Sequence, residues 1–139
     1  MKVIIIAAGS ATRLGKLTEK KPKGLLKING KSILERQINL FKKYHIQDII
    51  IITGPHKFHI DDVTYVEDIH YEQHDVLGSL MAAKDLLNGK ILTCYSDLLF
   101  DEEILNQILN FSGDTGIPID LNWEKNYIDR TQHPKSEAD

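Results

Sequence analysis

A single cysteine, Cys94, is too few for an internal disulfide and gives no zinc-ligand spacing, so a reducing cytoplasm is the expected compartment. No apolar stretch approaches the roughly 20 residues that cross a bilayer. Met1-Lys2 leads into an apolar run that Gly9 interrupts too early for a signal peptide, and no membrane partner is expected. A basic excess is missing too. Seventeen lysines and arginines stand against 20 aspartates and glutamates, a formal net charge of -3, which argues against a general nucleic-acid binder and makes any cationic function local. The six histidines, His45, His56, His59, His70, His74 and His133, follow no metal-ligand spacing across a helix face and read mostly as surface residues. Neither Gly-x-Gly-x-x-Gly nor Gly-x-x-x-x-Gly-Lys-Ser/Thr occurs, so a dinucleotide fold and an NTPase loop are both poor matches. Internal repeats, low-complexity segments and linkers are absent. What remains, 42% hydrophobic and 27% charged in 139 residues, describes one ordinary globular domain with material for one core.

The first thirty residues organise the rest. Lys2 to Ala7 is a nearly continuous aliphatic run, the pattern of a strand buried on both faces of a parallel sheet. It runs into the small residues Ala8, Gly9, Ser10 and Ala11, and a long polar loop follows, with Lys16, Lys20, Lys21 and Lys23 around Pro22. Leu25 to Ile28 reads as an extended piece closing on an Asn29-Gly30 turn. Ser32 and Glu35 make a capping box, and Ile33, Leu34, Ile38, Leu40 and Phe41 recur at helical spacing, which predicts an amphipathic helix from about Ile33 to Tyr44. Asp48 to Thr53 is a second buried strand, stopped by Gly54-Pro55. Strand, helix and strand at this spacing form a right-handed βαβ unit. Val63 to Val66 is a shorter strand, Gly78 to Leu87 a helix with Ser79 near its start, Lys90 to Tyr95 a third buried strand, and Glu102 to Phe111 a helix. Ile117 to Trp123 reads as an edge strand, with Pro118 near its beginning. The expected fold is α/β: a Rossmann-like, doubly wound, mostly parallel sheet with helices on both faces. The polar tail from Tyr127 to Asp139 stops without a closing helix or strand, so residues 1–139 are expected to be the N-terminal portion of a domain cut short at its C-terminal side.

A loop beyond the carboxyl end of the first strand is the place where such a sheet binds a nucleotide. Small side chains at Ala7, Ala8, Gly9 and Ser10 let backbone N–H groups approach phosphate oxygens, and Arg13 offers a planar fork of charged donors. The plain alternative for Arg13 and for Lys23 is a solvated surface cation. Their sharing of one loop, with Pro22 stiffening the backbone before Lys23, favours phosphate neutralisation. Asp97 follows the strand Ile91 to Tyr95 at the same sheet edge and can hold Mg²⁺ against a triphosphate. It could instead cap the following helix, but Asp101 is better placed for that. Ser79 alone is more naturally a helix N-terminal residue than a functional one. Cys94 lies in a strand without a basic neighbour and reads as a buried thiol. Trp123 and Tyr127, four apart, either pack on each other or wall a site for a cationic substrate.

These residues together resemble the nucleotidyltransferase superfamily, which couples an NTP to a phosphorylated small molecule and releases pyrophosphate. The resemblance runs through Ala7-Ala8-Gly9-Ser10-Ala11-Thr12-Arg13-Leu14, then Lys21-Pro22-Lys23-Gly24-Leu25-Leu26 and Ile28-Asn29-Gly30-Lys31-Ser32-Ile33-Leu34, then Gly78-Ser79-Leu80 and Tyr95-Ser96-Asp97. The tail Trp123, Tyr127, Arg130, His133-Pro134 and Glu137-Ala138 is similar to that of phosphocholine and 2-aminoethylphosphonate cytidylyltransferases. The resemblance implies that backbone around Ala7, Ala8, Gly9 and Ser10 contacts the nucleotide, that Arg13 and Lys23 bind its phosphates, that Ser79 lies near base or ribose, and that Asp97 coordinates Mg²⁺. Trp123 and Tyr127 would face a choline or aminoethyl cation, with Arg130 nearer the phosphorus group. The implied partners are an NTP, CTP first, and a small phosphate or phosphonate; a homo-oligomer is compatible with this family.

Two departures stand out. Family members often carry asparagines before the Ser-Leu pair, where this chain has His74 and Asp75, which opens the question of base preference. The family's second metal-binding aspartate lies beyond the Glu137-Ala138 segment, so the 139 residues alone are expected to bind nucleotide weakly and turn over poorly. Two other readings stay open: a sugar-1-phosphate nucleotidyltransferase, and an inactive nucleotide-binding or interaction module. A genomic reading frame continuing past Asp139 would favour an enzyme, and a natural stop there the module.

Overall fold

A computed structural model describes residues 1–9 and 21–128 of the chain. They fall into two compact units, Met1–Phe100 and Asp101–Asp139.

The first unit begins with β1 (Lys2–Ala7), whose aliphatic run is buried along most of its length. A 3-10 turn at Lys23–Leu25 leads to a small hairpin, β2 (Lys27–Ile28) with β3 (Lys31–Ser32). Asn29 and Gly30 both have positive φ, 49° and 81°, the conformation that a two-residue turn needs to match strand twist and that Asn-Gly supplies at low cost. Ser32 then opens α1 (Ile33–Lys43) with a complete capping box: its hydroxyl accepts from Glu35 N at 3.1 Å, and Glu35 accepts from Ser32 N at 2.6 Å. Those bonds hold the Glu35 carboxyl below its ordinary range. Next come β4 (Asp48–Thr53), β5 (Thr64–Glu67), α2 (Val76–Met81), a 3-10 turn at Lys84–Leu86, and β6 (Ile91–Tyr95).

The four long strands form one parallel sheet in the order β5-β4-β1-β6. Ile4 and Ile6 share a face with Ile50 and Ile52, and Leu80, Ala83, Leu86 and Leu87 from α2 and the turn after it cover that face. Val3, Ile5, Ile49 and Ile51 on the opposite face are equally buried, and the buried Leu34, Ile38 and Phe41 of α1 supply their cover. Helices on both faces of a parallel sheet explain why β1 and β4 read as unbroken aliphatic runs instead of alternating ones. The expected α/β class and the βαβ unit β1-α1-β4 are what the chain builds.

Two expectations are corrected in this unit. The second helix starts earlier than Gly78 and ends sooner than Leu87, because Asp75 caps it, accepting from Gly78 N at 2.8 Å, and the chain tightens into 3-10 form after Met81. β6 is not buried on both faces: it is an edge of the described sheet, and its Tyr95 is 45% exposed.

In the second unit, α3 (Glu102–Leu109) is capped by Asp101, which accepts from Ile104 N at 3.1 Å. The strand expected at Ile117 to Trp123 is not there. Ile117, Ile119 and Leu121 alternate as a strand would but are exposed, and among the described residues no ladder partner meets them. Alternation without a partner does not make a strand. A 3-10 turn, Trp123–Tyr127, follows. Among the described residues no helix is long and apolar enough to cross a membrane.

Candidate functional site

Because β5, β4, β1 and β6 are parallel, their carboxyl ends line one sheet edge, where open α/β sheets bind ligands. Four short segments meet there: Ala8-Gly9 after β1, Gly54 after β4, Asp68 after β5, and Ser96-Asp97 after β6.

At the centre, Ala7 and Ala8 are buried and Gly9 is exposed, so the backbone surfaces at the glycine. Gly54 packs directly on the Ala8 backbone; a Cβ at position 54 would collide with the Ala8 carbonyl. This close approach fixes the root of the loop that leaves β1. Ser10 and Arg13, both assigned to that loop from sequence, lie outside the described residues.

On the β6 side, the backbone N–H of Ser96 donates to Ile6 O at 3.0 Å and carries the β1-β6 ladder one step past the strand. The Lys23–Leu25 turn seats itself on this step through Gly24, where a Cβ would lie 2.7 Å from Ser96 O and 2.8 Å from Leu34 Cγ. That packing brings Lys23 Nζ to 3.4 Å from Asp97 Oδ2, both side chains partly exposed, at 28% and 40%. The sequence separates these two groups widely, and the fold brings them together beside the β1 loop. Asp97 caps no helix; Asp101 has that role.

Sequence reasoning missed the residue that holds this turn in place. Gln37 of α1 is 2% exposed, and its Nε2 donates to Tyr95 O at 2.8 Å and to Leu98 O at 2.7 Å, bracketing Asp97. The signal was present: position 37 belongs to the core face set by Ile33, Leu34, Ile38 and Phe41, and a polar residue there implies a buried partner.

On the β5 side, Asp68 is 1% exposed and fully engaged. Its Oδ2 accepts from Ser79 Oγ at 2.8 Å, and its Oδ1 accepts from His70 N at 3.0 Å and lies 2.9 Å from His74 Nδ1. Burial alone would raise its pKa, but the hydrogen bonds from Ser79, His70 and His74 outweigh it and hold the carboxyl below its ordinary range. Ser79, placed from sequence near base or ribose, is 5% exposed and commits its proton to Asp68. Asp68, His70 and His74 line an open cleft of about 420 Å³ with Glu67, Met81 and Lys84.

Cys94 sits within β6, and burial pushes its thiol up to about 12, so it is no nucleophile. In the second unit, Trp123 and Tyr127 meet edge to face with ring centroids 5.8 Å apart. Arg130 lies outside the described residues. Among the described residues, no group of three or more histidines, cysteines, aspartates or glutamates is arranged to hold a metal ion.

Comparison with known proteins agrees with this geometry. Residues 3–121 match the family model of the MobA-like NTP transferase domain. The choline-phosphate cytidylyltransferase of Streptococcus pneumoniae is 35% identical over 78% of this chain and 50% of its own length. The bifunctional protein GlmU of Methanococcus vannielii is 30% identical over 99% of this chain and 36% of its own. The solved structure of the CTP:phosphocholine cytidylyltransferase from Streptococcus pneumoniae superimposes with a TM-score of 0.64 at 37% identity, covering 69% of this chain and 44% of that one. The chain thus spans a third to a half of the length of these relatives.

Proposed function

This chain belongs to the MobA-like NTP transferase domain family, and from that premise we propose that it binds a nucleoside triphosphate, CTP first, and serves transfer of its nucleotidyl group to a small phosphate or phosphonate such as phosphocholine or 2-aminoethylphosphonate. The observation that carries this reading is the Lys23–Asp97 pair standing at the carboxyl end of β6, one strand from Ala8-Gly9. A cation for phosphates and a carboxylate for a divalent metal are juxtaposed where the loop after β1 emerges.

The acceptor oxygen attacks the α-phosphorus in line; the new O–P bond forms as the bond to the β-phosphate oxygen breaks, and pyrophosphate departs with that electron pair. Exposed backbone at Gly9 gives N–H donors to the phosphates, Lys23 neutralises their charge, and Arg13 is assigned the same task. Asp97 fits a hard divalent ion, since Mg²⁺ is commonly held by one or two carboxylates together with substrate phosphates. Bound there, Mg²⁺ supplies charge neutralisation on the transferring and leaving groups. Ala7, Ala8, Ser10 and Ser79 are assigned to the nucleotide, and Trp123, Tyr127 and Arg130 to the acceptor. The reading places the protein in the cytoplasm.

The bifunctional sugar-1-phosphate nucleotidylyltransferase/acetyltransferase of Sulfurisphaera tokodaii, 33% identical over 74% of this chain and 26% of its own length, favours a sugar 1-phosphate as the second acceptor class. Calorimetric titration with CTP and UTP, followed by pyrophosphate release with phosphocholine, 2-aminoethylphosphonate and a sugar 1-phosphate, separates the two. Mg²⁺-dependent CTP binding, with any release confined to the first two acceptors and lost in Asp97→Asn, is the expected result. Release only with the sugar phosphate supports the second reading, and failure to bind any NTP overturns both.

A further inference from the structure

We propose that His74 reads the nucleobase, through an Nε2 that accepts a hydrogen bond from an exocyclic amino group, and so selects cytosine over uracil. This inference rests on the nucleotide-binding reading above. Its basis is the cleft beyond β5, which lies two strand spacings, about 10 Å, from the β1 loop along the same sheet edge.

Three contacts fix the imidazole. Asp68, buried and already accepting from Ser79 Oγ and His70 N, lies 2.9 Å from His74 Nδ1. A carboxylate can only accept, so Nδ1 carries the proton and the neutral ring leaves Nε2 with a bare lone pair. The ring also lies against the first turn of α2: a Cβ on Gly78 would come 2.8 Å from His74 Cβ and Cγ and 3.1 Å from Cδ2. On a further side, the His70 ring meets it at 5.7 Å between centroids. Held at Nδ1 and packed against these neighbours, the side chain keeps one-third of its surface exposed and lines the cleft, and the described residues offer Nε2 no hydrogen bond.

Such an acceptor has a definite preference. Cytosine presents N4–H₂, a donor, where uracil presents O4, an acceptor. Facing Nε2, the first makes a bond and the second sets two lone pairs against each other. The hydroxyl of Ser79 spends its proton on Asp68.

The test is calorimetric titration of the chain with CTP, UTP and ATP at pH 8, for the wild type, His74→Gln, His59→Gln and Lys23→Ala. The wild type should bind CTP roughly tenfold or more tighter than UTP. In His74→Gln the amide can turn either face to the base, so the CTP/UTP ratio should collapse towards one while CTP binding persists. His59→Gln, at an exposed histidine outside the cleft, should retain the ratio. Circular dichroism and thermal unfolding establish that each variant folds. A wild-type ratio of one, a ratio unchanged in His74→Gln, or ATP binding tighter than CTP overturns the assignment while leaving nucleotide binding intact. No NTP binding at all, or binding insensitive to Lys23→Ala, overturns the nucleotide reading itself and this inference with it.

Discussion

Lys23 Nζ stands 3.4 Å from Asp97 Oδ2, and each side chain keeps more than a quarter of its surface in solvent. Pairs this accessible contribute roughly 0.2–1 kcal/mol, so a triphosphate and its counter-ion can separate them at little cost. The pair keeps a phosphate-seeking cation and a metal-seeking carboxylate side by side until both find better partners.

Removing either partner should therefore hurt binding far more than folding. Lys23→Ala is expected to weaken NTP binding about tenfold to a hundredfold, the worth of a charge-assisted hydrogen bond, with little change in Tm. Asp97→Asn should abolish the Mg²⁺ dependence of that binding. Calorimetry with and without Mg²⁺, beside thermal unfolding of the same samples, checks both.

Gln37→Leu should act through the turn it holds. Its Nε2 satisfies two carbonyls on either side of Asp97, and the substitution leaves both without that donor in a partly buried place. A loss of about 1–3 kcal/mol in urea unfolding is expected, along with weaker Mg²⁺-dependent NTP binding. Unchanged binding in a variant that still folds would show that the turn keeps its shape without the clamp.

Gly54→Ala should displace the loop that leaves β1, because the new methyl meets the Ala8 carbonyl and neither backbone can give way without loosening the β1-β4 ladder. Overpacking of this kind costs about 1–3 kcal/mol. NTP affinity should fall by more than the stability loss explains, which titration at a temperature well below Tm would read directly.

Acid should weaken the fold through Asp68. Its carboxyl titrates below the ordinary range in the folded chain, so the unfolded chain takes up the proton first as pH falls. The stabilisation is present above about pH 4, the unfolded carboxylate's range, and is lost as pH drops through the lower folded value. Asp68→Asn should cost about 1–3 kcal/mol at pH 7 and flatten the pH dependence of the urea midpoint below pH 5. Equal slopes for wild type and variant between pH 5 and pH 3 would contradict this.

What the sequence made legible was local. Ser32 and Glu35, Asn29 and Gly30, and the aliphatic runs of β1 and β4 each carry their signal within a few residues, and each forms as read. The strand expected at Ile117 to Trp123 failed because its alternation needed a partner that no neighbouring residue could announce. The site shows the same division. The approach of Lys23 to Asp97 depends on Gly24 fitting against Ser96, and Gly54 owes its identity to Ala8 far earlier in the chain. Asp68 was passed over because an aspartate after a short strand looks like any turn residue until Ser79 and His74 fold back on it. Gln37 is the exception, a polar residue on an apolar helical face that periodicity alone could have flagged.

The order of the sheet also sets the order in which it can be completed. β1 precedes both of its neighbours in the chain, yet Lys2 lies beside Asp48 on one side and beside Ile91 on the other. Pairing with β4 must wait for α1 to be made, and the second flank of β1 stays open until β6, far later in the chain, has been made as well. Non-local parallel pairing of this kind is slow to form and leaves aliphatic strand edges open meanwhile. The same isoleucines that anchor the finished loop are, in the nascent chain, an apolar strand exposed to aggregation.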